Sequence, residues 1–202
     1  WGMLGTDDMP DVSTFMARDG VEKPTERDIR AWLDEQPDNP FLLEAAVAAV
    51  AARGAAGPED VDLCERYARA RPVDPLPHRL LATFYLTGAG VEMGRGPEAA
   101  IPHLEFLDAR EQSSPGFAIE LARRYMALGQ SENALAKAAR ATRISPYDPS
   151  VREHAAAIAI RAGDLAKAER HIQALIVLEP DRPLHKQRLD ALRAMMADQT
   201  PK

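Results

Sequence analysis

The sequence predicts an all-α protein, an α-solenoid of stacked antiparallel helix pairs that ends in a C-terminal capping helix. Two stretches carry the same helical pattern 34 residues apart, and a repeat of this length is typical of stacked helix–turn–helix arrays. They read PGFAIELARRYMALGQSENALAKAARATRISPYD from Pro115 and PSVREHAAAIAIRAGDLAKAERHIQALIVLEPDR from Pro149. Alanine, the residue with the highest helix propensity, supplies 36 of the 202 residues. No run of alternating apolar residues bounded by turns indicates a strand.

Local signals divide the chain into ten predicted helices. Proline is harmless in the first helical turn, and several prolines lie at or near predicted starts: Pro40, Pro58, Pro77, Pro97, Pro115 and Pro149. Thr25 and Asp28 resemble a capping box, and Ser131 and Asp164 are predicted N-caps. The predicted helices span about 25–36, 40–53, 58–71, 76–88, 98–110, 116–128, 132–144, 149–162, 165–178 and 183–197. Pro102 falls inside the fifth helix, which should therefore kink or start late.

Small residues and turn residues recur at fixed sites within the two 34-residue stretches. Small side chains let two helices approach closely, Gly after a helix takes the left-handed backbone, and Pro stops the second helix. In the stretch from Pro115 these sites hold Leu121, Ala122, Tyr125, Gly129, Ala134, Ala138, Ala141 and Pro146. In the stretch from Pro149 they hold Ala155, Ala156, Ala159, Gly163, Ala168, Ile172, Leu175 and Pro180.

This pattern resembles that of tetratricopeptide repeats (TPR), W-x2-L-G-x2-Y…A-x3-F…P. The resemblance rests on spacing and small residues, because Ala118 and Arg152 stand at the Trp site and Ala138 and Ile172 at the Phe site. It is most specific over residues 115–182 and looser over 25–114 and 183–197. It implies a TPR-like superhelix over 25–197, with a half unit at 25–39, units at 40–74, 75–114, 115–148 and 149–182, and a cap at 183–197. An irregular acidic lead segment at 1–24 precedes the array, a tail at 198–202 follows it, and a Gly-rich insertion at 90–96 interrupts its second full unit.

Negative charge is concentrated at the start of the chain. Residues 1–39 hold ten acidic and four basic side chains, a balance of −6 that equals the formal net charge of the whole chain. Residues 40–202 are therefore neutral and lack the basic stripe that binding to nucleic-acid phosphates requires. We expect the lead segment to be a solvated linker, with a partner-binding strap and the end of an upstream domain as the alternatives.

Motifs for catalysis, cofactor binding or metal binding are absent from the sequence. No GxSxG, GxGxxG or lysine-containing phosphate loop occurs, and no apolar run is long enough to span a membrane. Cys64 is the only cysteine, which excludes internal disulfides and cysteine-based zinc or haem motifs. The histidines lack HxxxH or HExxH spacing, although His154 and His171 lie on paired helices and could face each other. We therefore predict no catalytic residue, no cofactor and no metal.

The TPR resemblance implies a binding surface. In that family the first helix of each pair lines a concave groove, and its outward residues contact partner peptides. Carried over by register, the candidate groove residues are Arg79, Thr83, Ile119, Arg123, Met126, Glu153, Ile160 and Arg161. Some TPR proteins hold a C-terminal carboxylate with Lys and Asn one turn apart, and Arg79 with Thr83 and Ile119 with Arg123 replace that pairing here. The groove arginines are either anchors for a partner carboxylate or partners of neighbouring glutamates, and the sequence leaves both open.

These features predict a non-catalytic protein–protein interaction or scaffolding module that binds a peptide segment in the concave groove. The alternative is an accessory TPR domain of a larger enzyme or cofactor-carrying protein whose chemistry lies upstream of residue 1. A chain that begins without Met and with half a repeat fits that alternative. Self-association through the array ends is a third possibility, because terminal helices of such arrays expose apolar faces.

Overall fold

The computed structural model describes residues 24–198 and places ten α-helices and no strand among them. The all-α prediction is confirmed, and the predicted helix ends agree with the observed ones to within three residues. The chain divides into two compact units, an N-terminal unit that ends at Gly94 and a C-terminal unit that begins at Arg95. The expectations for the acidic lead segment and the tail rest on residues 1–23 and 199–202, which lie outside the described residues. None of the described helices has the length and apolarity that crossing a membrane requires.

Four α-helices form the N-terminal unit: α1 (Glu26–Glu35), α2 (Pro40–Arg53), α3 (Val61–Ala70) and α4 (Pro75–Leu86). A 3-10 turn at Pro58–Asp60 leads into α3, and another lies at Val91–Met93. Each helix packs on the next one along the chain, and α2 also contacts α4. This contact between alternate helices is the arrangement that stacking of helix pairs produces.

Six α-helices form the C-terminal unit: α5 (Ile101–Arg110), α6 (Gly116–Ala127), α7 (Ser131–Ile144), α8 (Pro149–Arg161), α9 (Leu165–Leu178) and α10 (Leu184–Asp198). Successive helices again pack on each other, and α6 also contacts α8. Helices α6 and α8 are the first helices of the two 34-residue stretches. The sequence repeat therefore corresponds to a repeat of helix pairs, α6 with α7 and α8 with α9.

Helix starts and stops follow from local hydrogen bonds. Thr25 Oγ1 accepts the Asp28 N–H at 3.3 Å and the Asp28 carboxylate accepts the Thr25 N–H at 3.0 Å, which is the predicted capping box. Asp148 caps α8 and Asp164 caps α9, each accepting a backbone N–H at 2.8 and 3.0 Å respectively. Gly163 follows α8 with φ of 78°, a left-handed conformation that glycine adopts without a steric penalty.

Two other predicted starts had different outcomes. Ser131 is the first residue of α7 rather than its N-cap, and Gln130 holds the cap position without a side-chain hydrogen bond. The Ser131 N–H bonds to the carbonyl of Gly129 at 3.0 Å, so the chain enters the helix one residue earlier than predicted. The late start predicted from Pro102 is confirmed. A 3-10 turn at Pro97–Ala100 replaces the first α-helical turn, and Pro102 lies at the second position of α5.

The core of the C-terminal unit is built from alanine and a few larger side chains. Ala159 of α8 and Ala168 of α9 are fully buried in one cluster with Ile172. Leu189 and Leu192 of α10 belong to the same cluster, so α10 covers the last helix pair. The alanines predicted to lie buried at helix contacts are confirmed as buried: Ala122, Ala134, Ala156 and Ala168.

A buried aspartate in each unit is held by two cationic side chains. Asp108 of α5 is 2% exposed, and its carboxylate accepts hydrogen bonds from Lys137 Nζ and Arg140 Nε, both at 2.8 Å. Arg140 also donates to the Asp108 backbone carbonyl at 2.6 Å. In the N-terminal unit Asp60 is fully buried and is bonded by two arginines. A buried carboxylate without such partners would be strongly destabilising. The partners come from other helices, so each ion-pair cluster also joins elements that are distant in sequence.

We expect the alanine packing to tolerate no larger side chain. Leucine at Ala168, which is fully buried, should overpack the contact between α8 and α9 and lower the free energy of unfolding by about 1–3 kcal/mol. Leucine at Ala166, which is exposed on the same helix, should change it by less than about 0.5 kcal/mol. Urea unfolding of the two variants measures the difference, and equal stabilities would mean that the contact is not close-packed.

We expect Arg140 to stabilise the folded protein, because it bonds to the buried Asp108. Alanine at Arg140 removes two hydrogen bonds from Asp108 and should cost about 1–3 kcal/mol, because the buried carboxylate keeps only Lys137. Alanine at Arg143, an exposed arginine on the same helix, is the matched control. If thermal unfolding of the two variants is the same, the ion pair is not a source of stability.

Candidate binding groove

Two hollows lie side by side along α8 in the C-terminal unit. The first has a volume of about 130 Å³ and lies between α6, α7 and α8. The second has a volume of about 480 Å³ and lies between α8, α9 and α10. His154 and Ala157 line both hollows, so the two are adjacent on α8. We refer to the two hollows together as the candidate groove.

The walls of both hollows are mostly apolar, with charged side chains at the edges. Apolar residues of the first hollow include Ile119, Val151, Ile158 and several alanines, and Arg123 and Arg161 are its exposed cationic residues. In the second, the apolar residues are Ala156, Ala157, Ile160, Ile172, Leu175, Ala191, Leu192 and Met195. Ile160 is 40% exposed and Met195 47%, so the second hollow presents apolar side chains to solvent.

Five of the eight predicted groove residues line the two hollows: Ile119, Arg123 and Arg161 the first, and Glu153 and Ile160 the second. Met126 does not fit the prediction, because it is buried at 8% exposure and is not an outward residue. It lies one helical turn from Ala122 and therefore shares the inward face of α6 with that buried residue. Arg79 and Thr83 are exposed on α4 of the N-terminal unit.

The two arginines of the first hollow differ in their contacts. Arg123 lies 3.4 Å from the Glu120 carboxylate and donates to His154 Nε2 at 3.0 Å, so part of its charge is already used within the protein. Burial and the Arg123 charge both lower the pKa of His154, so the ring is neutral at pH 7 and accepts this bond. The side chain of Arg161 makes no hydrogen bond or ion pair with any residue that the structure describes. Arg161 is therefore the groove arginine that is available to a partner.

His154 and His171 have different polar contacts. His154 contacts Arg123, whereas His171 Nδ1 lies 3.4 Å from Arg152 Nη1. Burial and the nearby Arg152 charge lower the pKa of His171 as well. Each ring thus lies beside an arginine, which disfavours a metal ion shared by these two histidines.

A different cluster, which the sequence analysis missed, joins α8, the end of α9 and the start of α10. Glu153, Glu179 and His185 each offer one oxygen or nitrogen atom, and these atoms lie within 4.8 Å of one another. His185 is fully buried, and its Nε2 lies 2.7 Å from the Glu179 carboxylate. The hydrogen bond from His185 is the largest effect that lowers the pKa of Glu179. No spacing motif connects residues 26 and 6 positions apart, so the cluster depends on the packing of α10.

The structure provides no reactive thiol. Cys64 is fully buried in α3, and burial raises the pKa of its thiol to about 12. The thiolate is the nucleophilic form of cysteine, so this side chain is unreactive at neutral pH. Cys64 therefore contributes to packing in the N-terminal unit.

Solved structures that align with this chain are TPR proteins. YrrB, described as a TPR protein with an unusual peptide-binding site, aligns with a TM-score of 0.58 at 12% identity and covers 87% of both chains. A crystal structure of MamA aligns with a TM-score of 0.55 at 14% identity, over 77% of this chain and 81% of MamA. MamA from Desulfovibrio magneticus RS-1, from residue 41 to its end, aligns at 0.53 and 18% identity, over 78% and 85%. No protein-family model matches the sequence, and a search of curated proteins gives no match.

At these identities the likeness establishes the fold. The chain is a TPR-like α-solenoid, as the spacing of its small residues predicted. What YrrB binds is a property of YrrB, and the function of this chain has to be argued from its own residues.

We expect Cys64 to be protected from thiol reagents in the folded protein. At pH 8 its raised pKa and complete burial leave almost no accessible thiolate, so reaction with a chromogenic disulfide reagent should follow unfolding. The same reagent should titrate one thiol per chain in denaturant. Rapid reaction in native buffer would show that α3 opens readily.

Proposed function

We propose that the protein is a non-catalytic interaction module whose C-terminal unit binds a peptide segment along the candidate groove. The observation that carries the proposal is the pair of adjacent, mostly apolar hollows along α8, with Arg161 lining the first of them. In this proposal the repeat units at 115–148 and 149–182 supply the groove, and the helix at 183–197 caps them. YrrB, a protein of the same fold, is described as having an unusual peptide-binding site, which supports peptide binding as a use of this fold.

The chemistry of the groove defines the kind of peptide. Apolar side chains of a partner would displace water from Ile119, Ile158 and Ile160, and burial of apolar area is the main favourable contribution in such contacts. A carboxylate of the partner would pair with Arg161, whose planar guanidinium donates two parallel hydrogen bonds to a carboxylate. The proposed ligand is therefore a peptide with apolar residues beside an acidic one.

Arg123 has a supporting role in this proposal. Its contacts with Glu120 and His154 are made by an exposed side chain at 3.4 and 3.0 Å, and an incoming carboxylate would compete for it at little cost. Of the two explanations that the sequence left open, pairing with a glutamate thus applies to Arg123 in the free protein. For Arg161 we propose the other explanation, an anchor for a partner carboxylate, because its side chain has no partner among the described residues.

Peptide display followed by affinity measurement tests the proposal. Peptides enriched on the wild-type protein should combine apolar and acidic residues. Substitution of Glu for Arg161 should weaken their binding about 10- to 100-fold, the usual value of a hydrogen bond to a charged group. Substitution of Asp for Ile160, an exposed apolar residue of the second hollow, should weaken it as well. The affinity should also fall with added salt, since the arginine contact is screened.

Arg170→Glu is the matched control for charge reversal. Arg170 is exposed on α9 and lines neither hollow, so its substitution should leave peptide affinity unchanged while altering the net charge equally. Equal loss in Arg161→Glu and Arg170→Glu would mean that only net charge matters. Full affinity in both Arg161→Glu and Ile160→Asp would place binding outside the candidate groove and contradict the proposal.

A further inference from the structure

The cluster of Glu153, Glu179 and His185 stands apart from the apolar hollows in its chemistry. It combines one imidazole and two carboxylates, all contributed by different elements: α8, the residue that follows α9, and the first turn of α10. Imidazole with carboxylate oxygens is a donor set that Zn²⁺ and similar divalent cations accept in proteins. Convergence of three such groups from three elements is the arrangement that a metal site joining them requires.

The distances are close to those that one metal ion imposes. Ligand bonds to Zn²⁺ are about 2.0–2.2 Å long, so two ligand atoms in a tetrahedral site lie about 3.5 Å apart. The three donor atoms of the cluster lie within 4.8 Å of one another, and the closest pair, His185 Nε2 and Glu179 Oε2, is 2.7 Å apart. Both glutamate side chains are partly exposed, which leaves them room to rotate toward a common ion.

His185 is held in place before any ion binds. Its side chain is fully buried, and its Nδ1 has no hydrogen-bond partner among the described residues. Burial fixes the orientation of the ring, which lowers the entropic cost of metal binding. The Nε2 atom faces the Glu179 carboxylate at 2.7 Å, so the ring presents this nitrogen to the cluster.

Two arginines balance the carboxylates in the absence of a metal. Arg182 Nη1 lies 3.4 Å from Glu153 and 3.2 Å from Glu179, and Arg188 Nη1 lies 3.5 Å from Glu153. These are long ion pairs made by side chains that are about half exposed, so each contributes little and is easily displaced into solvent. One divalent cation carries the same charge as the two guanidinium groups and would bind at direct ligand distance.

We propose that Glu153, Glu179 and His185 form a binding site for a divalent transition-metal ion of the Zn²⁺ class. The ion takes one ligand from each of the three residues, and water completes a four-coordinate shell. Arg182 and Arg188 turn away from the carboxylates when it binds. The site fastens α10 to the α8–α9 pair, so metal binding stabilises the end of the C-terminal unit. This inference does not depend on peptide binding by the candidate groove.

Calorimetric titration of the chelator-treated full chain with Zn²⁺ at pH 7.5 tests the site. We expect one saturable site, and a melting temperature that rises with Zn²⁺ concentration. Glu153→Gln and His185→Gln should each weaken binding at least about 10-fold, since even residues that support metal ligands indirectly have effects of 10- to 100-fold. Arg182→Gln, which removes a competing cation, should bind Zn²⁺ more tightly than the wild type.

His171→Gln is the control for adventitious binding to histidine. His171 is half-buried on α9 and lies outside the cluster, so its loss should leave the affinity unchanged. If His185→Gln does not fold, Glu153→Gln and Glu179→Gln decide, because both change partly exposed side chains. The proposal is wrong if the wild type shows no saturable site, if the cluster variants bind as the wild type does, or if Arg182→Gln binds more weakly.

Discussion

The close approach of helices over alanine side chains is the constraint on which the rest of the C-terminal unit depends. Ala159 and Ala168 are fully buried between α8 and α9. In the preceding pair, Ala118 of α6 and Ala141 of α7 are buried beside Val151 of α8. A methyl group contributes little apolar area, so the stability of each contact comes from tight packing more than from bulk. The same small residues recur every 34 residues because each pair must present the next with an equivalent surface.

Because the apolar core is thin, contacts between charged side chains contribute more to how the helices pack on each other. Lys137 and Arg140 of α7 hold the buried Asp108 of α5, and this triad joins two helices that are separated by α6 in sequence. An ion pair of this kind is weak evidence of net stability, but its geometry specifies which helix faces which. Alanine packing alone would tolerate slippage of one helix along another, because neighbouring alanine contacts are nearly equivalent. The contacts of Asp108 with both Lys137 and Arg140 favour one register of α5 against α7.

The elements could be predicted from the sequence because their signals are local. Pro149 after the capping Asp148, Gly163 with its left-handed backbone, and Pro102 at the late start of α5 each act within a few residues. Ser131 was predicted as the N-cap but is the first residue of α7. The turn before it is held by backbone hydrogen bonds, which leave no signal in the side-chain sequence. Fold class followed from the period of these signals and needed no knowledge of long-range contacts.

The candidate site was less predictable, because register gives the face of a residue but not its neighbours. Register assigned Ile119, Arg123 and Arg161 to one side of α6 and α8, and these three residues line one hollow. It placed Met126 there too, although the pitch of α6 turns that residue inward to 8% exposure. The cluster around His185 lies beyond any register argument, since it forms only where α10 packs on the preceding pair.

Small residues also explain why the hollows lie where they do. Buried alanines let the paired helices α8 and α9 approach closely, whereas the alternate helices α6 and α8 make a less extensive contact. Where alanines such as Ala122, Ala155 and Ala157 line the space between them, no large side chain fills it, and a hollow remains. Ile160 and Met195, which line the second hollow, stay partly exposed. The feature that stabilises each helix pair is thus the feature that leaves an apolar surface open between alternate helices, and a ligand that fills it gains burial which the chain cannot supply itself.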